Sequence, residues 1–175
     1  MITSSDDAAC VEVDGEKLWL SKSKFGTIPT FFRPFFDVRI KNKSTDSYPL
    51  EGVKLNEFLH FVAIIYGMDI PVSKDSLDYL LRLGEMYQCY TVMRHCGDFL
   101  RSAGSEYMNI LDKIFLTDRF QFFGILYTLI ETASVDMLME LLPRGGHRQL
   151  SRLGRTLVVD SLRYRRSDFF LLKAI

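Results

Sequence analysis

Cys89, His95 and Cys96 are the nearest approach in this chain to a metal-binding or nucleophilic cluster. A closed zinc site needs four ligands, and neighbours on a helix such as His95 and Cys96 point in different directions. The simpler reading makes Cys89 and Cys96 small apolar core residues and leaves His95 facing solvent. His60 and His147 have no partner visible in the sequence. "PRGGHR", residues 143 to 148, lacks both the spacing and the preceding strand of a phosphate loop. No serine stands in a nucleophile elbow, and no carboxylate pair at helical spacing stands beside a histidine. The expectation is therefore a protein that is not an enzyme, with no catalytic residue, no cofactor and no metal. Arg144, Arg148, Arg152 and Arg155 recur every three or four residues, a spacing that could meet nucleic-acid phosphates. No aromatic residues interleave them for base stacking, and Leu150, Leu153, Leu157 and Val158 claim the other face. A solvated or acid-docked face of a terminal helix is the better reading.

With chemistry set aside, "KFGTIPTFFRPFF" stands out, residues 24 to 36 with five phenylalanines and two prolines. It is either core or a surface meant for another polypeptide. The whole chain has 175 residues, an apolar content of 47% and an aromatic content of 13%, enough for a packed core in one domain, with or without a small appendage. Net charge is zero but unevenly spread: residues 1–142 hold 14 basic against 20 acidic side chains, and residues 143–175 hold 8 against 2. A basic end on an acidic body implies docking of one upon the other or a charged partner. Three cysteines without tight spacing imply reduced thiols and a cytoplasmic or nuclear location. The polar, acidic first ten residues do not read as a signal peptide, and the run around "FLHFVAIIYG" is too short to span a bilayer.

The elements that must position these residues begin with "ACVEVDGEKLWL". Asp14-Gly15 is a strong two-residue turn signal, because a type I′ turn needs positive φ at both positions. It sets Val13 opposite Glu16, Glu12 opposite Lys17, Val11 opposite Leu18 and Cys10 opposite Trp19. Val11, Val13, Leu18 and Leu20 then share one face, with the Glu12–Lys17 pair on the other. Pro49 in "YPLEGV" restricts that run to an edge strand or a strand start. From residue 54 the period becomes helical, with Phe58, Phe61, Val62 and Ile65 at i, i+3, i+4 and i+7, ended by Gly67 and Pro71. Ser73, Thr91, Ser105, Ser134 and Ser151 stand at the expected starts of later helices, where a side-chain oxygen accepts an orphan backbone N–H. A further helix is expected over roughly 119 to 132, and "PRGGHRQ" reads as an interruption. The fold class is α+β: a small sheet built early, then a run of helices.

Four strings, in order, resemble the BTB/POZ domain. "LSKSKFGTIPTFFRPFF" is similar to the segment after that family's hairpin, with Lys22 in the histidine-lysine position, Ser21 in place of the histidine, Phe25 where leucine is usual, and Phe32 and Phe36 at the two aromatic places. "YPLEGVKLNEFLHFVAIIYG" resembles the following edge strand and helix, ending in Ile65 and Tyr66. "LLRLGEMYQCYTVMRHCGDFL" resembles the paired helices that close the domain, with Tyr87 and Cys96 in characteristic positions, and "EYMNILDKIFLTDRFQFFGIL" the helix pair that often extends it. The resemblance covers roughly residues 10 to 132. It implies a BTB/POZ-like domain over 1–104, with a small, mostly edge-type sheet of about three strands capped by helices. A helical extension over 105–175 follows, its basic terminal segment starting near 143.

The Phe-rich stretch then divides. Phe25, Ile28, Phe32 and Phe35 or Phe36 fit a buried stripe, Pro29 suits the first turn of a short helix, and Pro34 should kink or shorten that helix. Phe31 is left off the stripe and is a candidate interface anchor. The resemblance implies a protein–protein interaction module, with recruitment of a cullin scaffold in ubiquitin ligases, self-association as a homo- or heterodimer, or both. The implied cullin surface is Phe36, Ile40, Asn42 and Tyr66. Asn42 stands where the family often has glutamate, so a charge-assisted bond becomes a neutral one. The implied self-association surface is Lys24, Ile28 and Phe31, with Lys24 at a position that is commonly aliphatic. Non-ubiquitin structural assembly and a nucleic-acid contact through the basic end are the alternative readings.

Overall fold

A computed structural model describes residues 7–26, 47–141 and 150–172, with side chains of the last helix described as far as Arg165. The chain divides into two compact units, Met1–Cys96 and Gly97–Ile175. The division falls inside one helix, and the boundary expected near residue 104 lies just past that helix's end.

The first unit opens with the hairpin, β1 (Ala8–Val13) and β2 (Glu16–Ser21), in the register expected from the Asp14-Gly15 turn. Both turn residues take positive φ, 55° and 81°, as a type I′ turn demands. Ala9, Val11, Val13 and Leu20 are buried on one face, while Leu18 is only half-buried. A short helix, α1 (Lys22–Phe25), follows and buries Phe25. Strand β3 (Tyr48–Pro49) then pairs in parallel with β1, giving the order β2-β1-β3 among the described residues. Pro49 therefore sits on an edge strand, where its missing N–H costs no ladder bond.

Helix α2 (Leu55–Ile65) packs on α3 (Lys74–Met86). Phe58 and Phe61 are fully buried as the period requires, but Ala63 and Ile64 complete the buried face, and Val62 and Ile65 are half-buried. The apolar stripe is thus turned toward Ile64. Phe58, Phe61 and Tyr87 form a cluster with ring centroids 5.4 to 6.4 Å apart. At its N-terminus α2 is clamped by Arg82, which pairs with Glu57 and donates to the Gly52 carbonyl at 3.0 Å. Its C-terminus ends in a Schellman turn. Met68 N–H reaches the Ala63 carbonyl and Gly67 N–H the Ile64 carbonyl, with Gly67 at φ 74°. Ser73 caps α3 in a reciprocal capping box with Ser76.

Helix α4 (Tyr90–Ser102) starts one residue before Thr91. Thr91 therefore lies within the first turn instead of capping it. The second unit holds α5 (Ile110–Arg119), α6 (Phe123–Thr132), α7 (Val135–Glu140) and α8 (Arg152–Leu172). Asn109, not Ser105, caps α5, its Oδ1 accepting from Asp112 N–H at 2.8 Å. The helix expected from 119 begins at Phe123, because α5 runs on to Arg119 and ends, like α2 and α3, in a Schellman turn, here with Gln121 at φ 60°. Ser134 and Ser151 cap α7 and α8 as expected. Ile114, Leu126, Ile130, Leu138, Val158 and Leu162 form this unit's core, so α8 packs on α6 and α7.

Candidate interaction surface

Ser21, at the end of β2, is buried and organises the junction with α1. Its N–H donates to Tyr66 Oη at 3.0 Å, and its Oγ donates to Asp7 Oδ2 at 2.7 Å and accepts from Lys24 N–H at 3.3 Å. Asp7 also receives the Ser23 N–H at 2.8 Å, and the Tyr66 ring lies 6.0 Å from that of Phe25. Tyr66 is thus half-buried and tied to the strand end, while Lys24 is exposed on α1. Ile28, Phe31, Phe36, Ile40 and Asn42 lie outside the described residues, as do Phe32, Phe35 and the two prolines of that stretch. Arg144, His147 and Arg148 also lie outside them.

Large apolar side chains lie at the surface of the first unit: Trp19 (62% exposed), Met68 (60%) and Tyr90 (78%), with Leu59 and Met86 less so. These were not singled out from the sequence. For Trp19 the signal was present: once Glu12 faces Lys17, alternation places Trp19 on the outer, polar side of the hairpin.

The cysteines are core residues. Cys89 and Cys96 are fully buried, and burial, with Cys89 nearby, pushes the Cys96 thiol up to about 12. Cys89 immediately precedes α4. Burial raises its thiol, against the opposing pull of hydrogen bonds from the Val92 and Thr91 backbones. His95 is half-buried, not fully solvent-facing. His60 does have a partner, its Nδ1 lying 2.7 Å from Tyr79 Oη, while its buried Nε2 has no hydrogen bond among the described residues and burial lowers its basicity.

In the second unit Arg165 crosses to the C-terminal end of α6. Its guanidinium donates to the carbonyls of Ala133, Ile130 and Glu131 at 2.5, 2.9 and 2.6 Å, where a cation also complements the helix dipole. Asp118, buried, accepts from Ser151 N–H at 2.5 Å and from Ser151 Oγ at 2.6 Å at the start of α8. Arg163 stands 3.8 Å from Asp160, and Arg152 and Arg155 are exposed. Part of the basic end is therefore engaged within its own unit.

Comparison with known proteins gives a match of residues 7–103 to the family model described as the BTB/POZ domain. BTB and MATH domain-containing protein 38 of Caenorhabditis elegans is 30% identical over 109 residues, which are 62% of this chain and 27% of that protein. The chain's match thus spans about a quarter of the length of that relative.

Proposed function

Because the chain belongs to the BTB/POZ domain family, whose members are protein–protein interaction modules, we propose that it works as an adaptor that recruits a cullin-based ubiquitin ligase scaffold. The observation that carries this reading is the continuous match over 7–103, from the hairpin through α4. The exposed Trp19, Met68 and Tyr90 on that segment suit contact with other polypeptides. Free, buried cysteines fit a cytoplasmic or nuclear workplace.

The test uses the whole chain with an N-terminal cullin fragment, scored by calorimetry. Asn42→Glu restores an ionised acceptor, which should tighten the complex by roughly tenfold, the worth of ~1.4 kcal/mol. Absence of a complex with either version discards the adaptor reading.

Self-association, with itself or with another member of the family, is the second reading. Trp19 favours it, as a large aromatic left on an outer strand. Light scattering after size exclusion separates the two readings, since a chain that stays monomeric at micromolar concentration removes homo-assembly and leaves the adaptor.

A further inference from the structure

Strand β2 has one strand neighbour among the described residues, β1. The two-residue turn makes Val13 and Glu16 a hydrogen-bonded pair, so the even-numbered residues of β2 bond to β1. The backbone groups of Lys17, Trp19 and Ser21 point the other way. Two observed bonds agree with this parity. Ser21 N–H donates away from β1 to Tyr66, and on the far side of β1 the Glu12 carbonyl accepts from Leu50 N–H at 2.8 Å. Tyr66 closes the edge at Ser21 and leaves a short window, Lys17 to Trp19, whose two end residues have exposed side chains.

We propose that this window pairs antiparallel with the same window of a second copy of the chain, joining two three-stranded sheets across a two-fold axis. The proposal rests on the self-association reading above and names its surface. Register selects the occupant. To keep both buried faces on one side, residues of like parity must meet. Lys17 opposite the second copy's Lys17 would oppose like charges, which destabilises a strand pair. Trp19 opposite Trp19 would set Lys17 against Ser21, whose N–H is already given to Tyr66. The remaining register sets Lys17 opposite the second copy's Trp19, and Trp19 opposite its Lys17. It forms about four main-chain hydrogen bonds and places each ammonium beside an indole on the outer face. Leu18, half-buried within one copy, meets its counterpart at the axis. A lysine on a free edge ordinarily discourages pairing; here the register turns it into the complement of the aromatic next to it.

Light scattering of the full chain over a concentration series tests this with three variants. Trp19→Lys sets lysine against Lys17 and should weaken the dimer at least tenfold. Trp19→Glu sets a carboxylate against Lys17 instead, leaves the Glu12–Lys17 pair of the hairpin intact, and should keep most of the affinity. Lys17→Pro deletes an N–H that the hairpin does not use and should leave a monomer with its circular dichroism intact; if it unfolds, the charge pair still decides. A dimer indifferent to Trp19→Lys, or weakened as much by Trp19→Glu, overturns the β2 edge while keeping self-association. A monomer at every concentration overturns both.

Discussion

Cys96 and His60 act on the pH dependence of stability from opposite ends. The Cys96 thiol is held near 12 by burial and by Cys89, against an ordinary value of 9.0, and burial in the aromatic cluster lifts Tyr87 from 10.0 to about 12. Both groups stay neutral in the folded chain while the unfolded chain ionises, so the unfolded state binds fewer protons above pH 9. Stability is then full below that pH and falls as pH rises toward 12, by up to ~1.4 kcal/mol per pH unit for each group. Urea midpoints measured from pH 8 to 12 should fall, and Cys96→Ala should reduce the part that begins near 9, to which the buried Cys89 also contributes. His60 runs the other way. Its lowered basicity means that the unfolded chain binds the extra proton below about 6.5, so stability falls with falling pH in that range. His60→Gln should remove this part of the acid loss, read from the same titration between pH 7 and 5. Tyr79→Phe strips Nδ1 of its partner among the described residues and should cost about 1–2 kcal/mol at pH 7. The fate of Cys89 and Cys96 was legible in the sequence, because no set of four ligands stands near them and a small apolar core role is what remains. The His60–Tyr79 contact was not, since it joins two helices across 19 positions and depends on how α2 and α3 cross.

Turn chemistry and caps govern the elements. Gln121 holds a left-handed conformation at the end of α5, a position that glycine occupies at lower conformational cost. Gln121→Gly should raise stability by about 0.5–1 kcal/mol, seen as a higher urea midpoint with unchanged slope. At the start of α8 a Cβ on Gly154 would meet Asp118 Oδ1 at 2.5 Å. Gly154→Ala should therefore cost about 1–3 kcal/mol by overpacking, and much less in an Asp118→Ala background. A double-mutant cycle that gave additive losses would place the strain elsewhere. The hairpin was readable to the residue because its determinants, Asp14 and Gly15, are adjacent in sequence. The caps were less so. Thr91 and Ser105 are as good as Asn109 on local chemistry, and packing decides which hydroxyl or amide starts the helix. The stripe of α2 shifted toward Ile64 for the same reason, since α3 selects which flank of Phe58 and Phe61 is covered.

On the scale of the whole chain, part of the basic end finds an internal use. Arg165 ties the basic last helix to the end of α6, and the buried Val158 and Leu162 anchor it. A chain ending at residue 150 should lose hydrogen-exchange protection across α5 to α7 and bind a hydrophobic dye, because Ile114, Leu126 and Ile130 would lose their cover. Family and fold class could be read from four ordered strings, and the outward placement of Trp19 from the hairpin's alternation, but that of Tyr90 required the folded chain. One further property follows from the parallel pairing of β3 with β1. Ser47 donates to Glu12 at 2.7 Å, across 35 positions, and Gly26 ends the short helix that follows β2, so both ends of the intervening stretch are fastened to one sheet. β1 is therefore the strand that holds both β2 and β3, and stripping it away would release the two of them together.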